Sequence, residues 1–284
     1  WQVTPEFAVG ATVDLMWSGL DMRMAASGAQ LGGMVTGASG NLAAALPALG
    51  GAPWTRVDFS NSSDFTGAAW ASGWGGKLGA VYRPAASFTM GASYRLKSSL
   101  KDMKTGADRA SLSAAGGFTD SGRITVVDFQ WPAMTALGAA WQATPAILVA
   151  ADYKRIQWTD VMTDFKLRYD SAGMGGSVSF ALPQNWKNQS VLSLGLAYAV
   201  NDQFTLRGGI NKTDNPIPDA LVNPLFPATV KSHYTLGAGW RFSATGELNA
   251  SFTHAPTSTV TNGMGVVVPH KHNHLQLMYS RQFL

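Results

Sequence analysis

From Ser87 to Lys97 apolar and polar positions alternate without a break. Phe88, Met90, Ala92, Tyr94 and Leu96 fall on one side, and Thr89, Gly91, Ser93, Arg95 and Lys97 on the other. A period of two is the signature of a β-strand with one apolar face. The pattern recurs from Phe7 to Trp17, Lys77 to Arg83, Leu192 to Tyr198, Phe204 to Asn211, His233 to Phe242 and His274 to Phe283. Less regular strands near 123–141, 146–169 and 247–257 bring the expected number to ten. Short turns at Val3–Glu6, Arg83–Ser87, Gln142–Pro145, Val200–Gln203 and Ser243–Gly246 alternate with long connections near 27–66, 105–122, 170–187, 215–230 and 258–270. Tight turns at one end and long loops at the other are the outline of an antiparallel transmembrane β-barrel of the outer-membrane type, an all-β fold. A β-sandwich also alternates, but its apolar face points inward and its turns are short at both ends.

Composition agrees with this outline. The chain has 284 residues, of which only 13% are charged and 31 are glycine, and its mean hydropathy is +0.01. Soluble domains carry about 25% charged residues, yet no segment here reaches the roughly 18 uninterrupted apolar residues of a transmembrane helix. A barrel reconciles the two, because only every second residue meets lipid. Trp17, Tyr82, Tyr94, Trp141, Tyr198, Trp240 and Tyr279 lie near strand ends, where aromatic girdles sit. The net charge of +4 is dispersed, with no basic block of the kind that marks nucleic-acid binding. Cysteine is absent, as suits an exported chain. Trp1-Gln2-Val3-Thr4 reads as the tail of a strand entering the first turn, without the parts of a signal peptide. Lipid does not tolerate an open sheet edge, so 1–284 is expected to be a single barrel domain that lacks upstream strands.

Little catalytic chemistry stands out. His270, His272 and His274 share one face of a strand, but at a strand entrance beside a long loop they read as a solvated rim. Asp152 and Lys154 share a face and are expected to pair in the lumen as a structural charge pair. An outer-membrane barrel enzyme would need a nucleophile or an acidic cluster beside a rim histidine, and no spacing nominates one. A general porin would want a charged constriction, which this charge-poor chain does not offer. No catalytic residue, metal or cofactor is expected.

Four passages, in chain order, carry a family resemblance: Gly73–Tyr82 with Met90–Lys97; Trp131-Pro132-Ala133 with Asp152-Tyr153 and Trp158-Thr159-Asp160; Asn201-Asp202 with Thr205–Ile210 and Asn215-Pro216-Ile217-Pro218; and Thr235–Trp240 with Phe252-Thr253-His254. Together they resemble the FadL/TodX outer-membrane transporters of hydrophobic compounds. The resemblance implies a fourteen-stranded barrel plugged by an N-terminal hatch, so that the hatch and about four strands precede the ten seen here. It further implies passive uptake of long-chain fatty acids or monoaromatic hydrocarbons, caught in a groove between two extracellular loops, here 27–66 and 105–122. From the groove the ligand passes to a lumenal pocket and leaves through the wall. The partners implied are a hydrophobic small molecule, outer-membrane lipid and lipopolysaccharide, around a monomeric chain.

Loop 27–66 is long and poor in charge, which singles it out as the ligand-facing segment. Leu31, Met34, Val35, Leu42, Leu46 and Leu49 are expected to form an apolar extracellular groove, and Met16, Met22 and Trp158 to line the route inward. Fatty-acid members of the family use basic lumenal residues to hold the carboxylate. The positions that match them here are Met22, with Arg23 facing the other way, and Leu182. A desolvated carboxylate needs a partner, so neutral hydrocarbons are favoured over fatty acids. The strand register places Arg95, Arg207 and Arg241 in the lumen and Leu96, Leu206 and Trp240 against lipid.

Overall fold

A computed structural model describes residues 1–63, 65–224 and 226–282; Phe283, read above as the last apolar position, lies outside them. The first wall strand, β1 (Phe7–Leu20), runs into an excursion made of β2 (Met22–Ala26), α1 (Gly28–Met34), β3 (Val35–Ser39), α2 (Gly40–Gly50) and β4 (Thr55–Phe59). The hairpin β5 (Ala69–Ala85) and β6 (Phe88–Arg95) returns to the wall. It leads to β7 (Ser99–Leu100), β8 (Met103–Lys104), β9 (Ala110–Ala114) and β10 (Phe118–Val127). The hairpin β11 (Met134–Thr144) and β12 (Ile147–Ile156) is followed by β13 (Asp164–Ser171) and β14 (Ser177–Pro183). The remaining wall strands are β15 (Gln189–Ala199), β16 (Phe204–Thr213), β17 (Ser232–Arg241), β18 (Gly246–Thr261) and β19 (Val267–Arg281).

Ten strands form the wall, all antiparallel, in the order β1, β5, β6, β11, β12, β15, β16, β17, β18, β19. No ladder joins β1 to β19 among the described residues, so the wall is a sheet with two edges. Ahead of β1, Trp1 pairs with Val9 across the first turn. The register carries the period-two pattern from strand to strand. Phe204, Trp240, Leu248 and Tyr279 share one row, as do Arg207, Gly237, Ser251 and Gln276. Directly paired residues point to the same side, so Leu206 and Trp240 lie on the apolar outer face and Arg207 on the polar inner one. There Arg207 Nη1 donates to Asn249 Oδ1 at 2.8 Å, reaching over Gly239 of the intervening strand. Arg95 shares its row with Lys77 and Met134, and Arg241 pairs with Glu247. Leu96 stands just past the end of β6, exposed. Near the tight turns Phe204 stacks on Trp240 and Phe242 on Tyr279, at centroid distances of 6.2 and 6.1 Å, forming part of an aromatic girdle.

The less regular strands near 123–141 and 146–169 each divide. Residues 123–127 and 164–169 leave the wall, and the wall strands are confined to Met134–Thr144 and Ile147–Ile156. The departed segments join an antiparallel cap sheet above the wall, in the order β2, β4, β9, β10, β13, β14, β3, which β8 ties to the wall by pairing with both β10 and β5. Both sheets have a period of two, so alternation runs through the junctions unbroken. Asp152 and Lys154 share the inner face as expected, but no ion pair joins them among the described residues; Asp152 instead lies over Gly138. The wall register yields a direct expectation. Leu236, exposed on the outer face midway along β17, should not tolerate arginine, at a cost of about 2–4 kcal/mol at the bilayer midplane. Thr235→Arg on the inner face should cost far less. Refolding equilibria into lipid vesicles measure both, and equal penalties would overturn the assignment of faces.

Candidate functional site

The three long excursions weave into one cap. Each is closed at its base by side-chain hydrogen bonds that replace lost ladder partners. Asp21 accepts from Ser60 Oγ at 3.0 Å, from the Asn61 N–H at 3.2 Å and from the Ala68 N–H. Gln130 Oε1 accepts from Ser98 Oγ at 2.8 Å and the Leu100 N–H at 2.9 Å, while its Nε2 donates to the Leu100 carbonyl at 2.8 Å. Asn188 Oδ1 accepts from the Thr159 N–H at 3.0 Å and from Thr159 Oγ1 at 2.9 Å.

Within the cap is a dense apolar core. Val57, Phe59, Leu112, Ile124, Val126, Leu167, Val178 and Phe180 are buried in it together with Leu31, Leu42 and Leu49. Tyr169 is also fully buried, and its hydroxyl donates to Asp120 Oδ2 at 2.8 Å. Burial, and then the Asp120 carboxylate, push the Tyr169 phenol well above its usual range and keep it a neutral donor.

Loop 27–66 supplies the only helices of the cap longer than a single turn among the described residues. Ser27 and Gln30 form a capping box at α1: Ser27 Oγ accepts from the Gln30 N–H at 3.2 Å and Gln30 Oε1 accepts from the Ser27 N–H at 2.9 Å. Helix α2 carries Pro47, which has no N–H to offer the Ala43 carbonyl four residues earlier. Gly28 packs on the Leu49 carbonyl so closely that any Cβ would overlap it. Gly40 and Gly176, both at positive φ, touch backbone to backbone and dock α2 onto the third excursion. Asn41 Nδ2 adds a bond to the Met174 carbonyl at 2.9 Å.

Between the helices lies a cavity of about 390 Å³ lined by Gly28, Leu31, Gly32, Val35, Ala43, Leu46, Pro47, Leu49 and Gly50. Of the six groove residues expected from sequence, Leu31, Val35, Leu46 and Leu49 meet at this cavity. Leu42 is wholly buried beneath it, and Met34 packs on the core from the side. Met22 pairs with Phe59 at the foot of the cap and packs on the core, as does Leu182. Met16 lies on the inner face of β1 against Gly75. Trp158 sits apart from these: it stacks edge-on against Trp186 at 4.8 Å, and Trp186 packs on a second cluster of Ile217, Val222, Val260 and Val268. The small residues of the cavity, Gly28, Gly32, Ala43 and Gly50, carry no apolar signal of their own. Their clustering around Leu31 and Leu46 in loop 27–66 is the trace they leave in the sequence.

At the foot of the cap two arginines share one carboxylate: Arg56 Nη2 stands 2.6 Å and Arg23 Nε 3.4 Å from Asp58 Oδ2, and Arg23 Nη2 donates to Ser62 Oγ at 3.2 Å. Because the cap core is tied together by the Tyr169–Asp120 bond, Tyr169→Phe should strand a buried carboxylate. The expected destabilisation of the cap is about 1–3 kcal/mol. Hydrogen exchange should accelerate in β10 and β13 and stay unchanged in β16 and β17. Unaltered exchange in β10 would show that the bond does not hold the cap.

Comparison with known proteins places this architecture. The Pseudomonas putida toluene transporter TodX superimposes with a TM-score of 0.83 at 31% identity, covering 100% of this chain and 67% of that one. The Ralstonia pickettii toluene transporter TbuX superimposes with a TM-score of 0.77 at 26% identity, covering 100% of this chain and 65% of that one. A 47 kDa outer membrane protein of Pasteurella multocida is 24% identical over 200 residues, 68% of this chain and 45% of that protein, so the match spans under half of this curated relative. Residues 1–267 match the family described as outer membrane protein transport protein (OMPP1/FadL/TodX). With its antiparallel wall, its polar inner face and its capped extracellular end, the chain belongs to that family of outer-membrane proteins.

Proposed function

We propose that the protein admits hydrophobic small molecules passively across the outer membrane, taking them up at the cap cavity and handing them to the lumen. The observation that carries this reading is the recess between α1 and α2, whose lining side chains are Leu31, Val35, Ala43, Leu46, Pro47 and Leu49, in a water-facing loop. Neutral hydrocarbons, single-ring aromatics above all, suit it better than fatty acids. Met22 and Leu182, at the positions matched to the basic residues of fatty-acid members, pack on the cap core and offer no charge. An apolar cavity of about 150 Å³ accommodates benzene, so 390 Å³ leaves room for a substituted ring. TodX and TbuX are described as toluene transporters, in keeping with that preference. Uptake of this kind needs no catalytic step, no cofactor and no second protein chain. The barrel acts as a monomer within lipid and lipopolysaccharide.

Leu46 and Leu42 separate capture from folding. Leu46 lines the cavity and is half-buried, whereas Leu42 is a core residue. Leu46→Asp should slow toluene uptake by cells severalfold while the protein assembles normally. Leu42→Asp should unfold the cap altogether. Normal toluene uptake in Leu46→Asp would remove the cavity from the route, and faster uptake of a long-chain fatty acid than of toluene by the parent would reverse the ligand preference.

A further inference from the structure

Four of the chain's five histidines gather on the inner face of the wall, where β17 and β19 approach the extracellular side. His270, His272 and His274 alternate along β19, and His233 stands at the start of β17. Between the two strands lies Ala255 of β18, fully buried and in register with His272. With only a methyl group there, the imidazoles of β17 and β19 meet across it. Ring centroids are 5.2 Å apart for His233 and His272, 5.4 Å for His270 and His272, and 4.6 Å for His272 and His274. His272 is therefore the hub of the group. The fifth histidine, His254, lies on the opposite face and is engaged with Asn273 Oδ1 at 2.8 Å.

These spacings match a metal geometry. Two imidazoles on one tetrahedral ion, each bound at about 2.0–2.1 Å, hold their ring centroids about 5 Å apart. His270 Nδ1 is buried and has no hydrogen-bond partner, a costly state for a ring nitrogen without a ligand. Among the described residues no three donors surround a common point as the rings now stand, at interplanar angles of 45°, 46° and 70°. Histidine-rich sites favour borderline divalent ions over calcium or magnesium, which prefer oxygen.

We propose that His233 and His272, completed by His270 or His274, bind a divalent transition-metal ion of the zinc, nickel or copper class. The ion ties β17 to β19 across β18 at the mouth of the lumen, next to the sheet edge. This site is independent of the hydrocarbon reading and stands or falls separately.

The test uses the protein purified in detergent without a polyhistidine tag. Calorimetric titration with nickel and copper ions should show saturable binding of one ion, and the copper spectrum should carry splitting from several imidazole nitrogens. His272→Ala should weaken binding at least about tenfold, the smallest loss usually seen when even a supporting group is removed from a metal site. His254→Ala should leave affinity unchanged. If His272→Ala does not assemble, His233→Ala carries the same expectation. Absence of saturable binding to the parent, or affinity that survives both His233→Ala and His272→Ala, overturns the proposal.

Discussion

The constraint on which the rest depends is that hydrocarbon offers a peptide group no hydrogen bond. Every wall N–H and C=O must find its partner in a neighbouring strand, because each unmet group costs several kcal/mol. The antiparallel ladders meet that demand between β1 and β19, and only the outer edges of those two strands lack a ladder among the described residues. Once backbone bonding is fixed in this way, side chains divide strictly by parity. Leu194, Leu206 and Leu236 go outward to lipid, while Ser193, Arg207 and Thr235 go inward. Apolar residues are thereby spent on the outside of the molecule, and the buried clusters among the described residues lie in the cap and at the loop ends of β18 and β19.

A chain built this way needs a second source of order wherever it leaves the membrane. The cap provides it. Seven short strands and two helices enclose Phe59, Leu112, Ile124, Leu167, Tyr169 and Phe180 around a centre from which water is excluded. Burial of about 25 cal/mol per Å² of apolar surface stabilises this core, and the same term is available to a ligand that enters the adjoining cavity. The cavity exists because the packing of α1 on α2 leaves a gap beside glycines and Pro47. The cap is thus a soluble-type core set on a membrane-type wall, with a recess at the imperfect seam between its helices.

Sequence and structure part company at particular places. Alternation marked the wall strands at 88–95, 204–213 and 232–241 because one face of each meets lipid uniformly. At 118–127 and 164–171 the same alternation belongs to the cap, where one face meets the buried core. Parity cannot distinguish the two, since lipid and a protein interior select the same residues. The loops read near 105–122 and 170–187 are for this reason the inner parts of longer excursions that include β9, β10, β13 and β14. The apolar run of loop 27–66 was visible in the sequence, but not which of its leucines would be consumed by the core. Leu42 and Leu46 are chemically identical, and only the docking of α2 against β14 separates them.

The sequence by itself determined the compartment, the period-two wall and the alternation of tight turns with long excursions. These follow from local rules: side-chain parity, turn chemistry and charge content act over a few residues. Tertiary structure decided what depends on distant segments meeting. It interleaved strands from three excursions into one cap sheet, paired Tyr169 with Asp120, drew Leu31 and Leu46 around a common cavity and brought His233 beside His272 across Ala255. Residues 39 positions apart, as His233 and His272 are, become neighbours only through the strand register, and the register is fixed by the ladder as a whole.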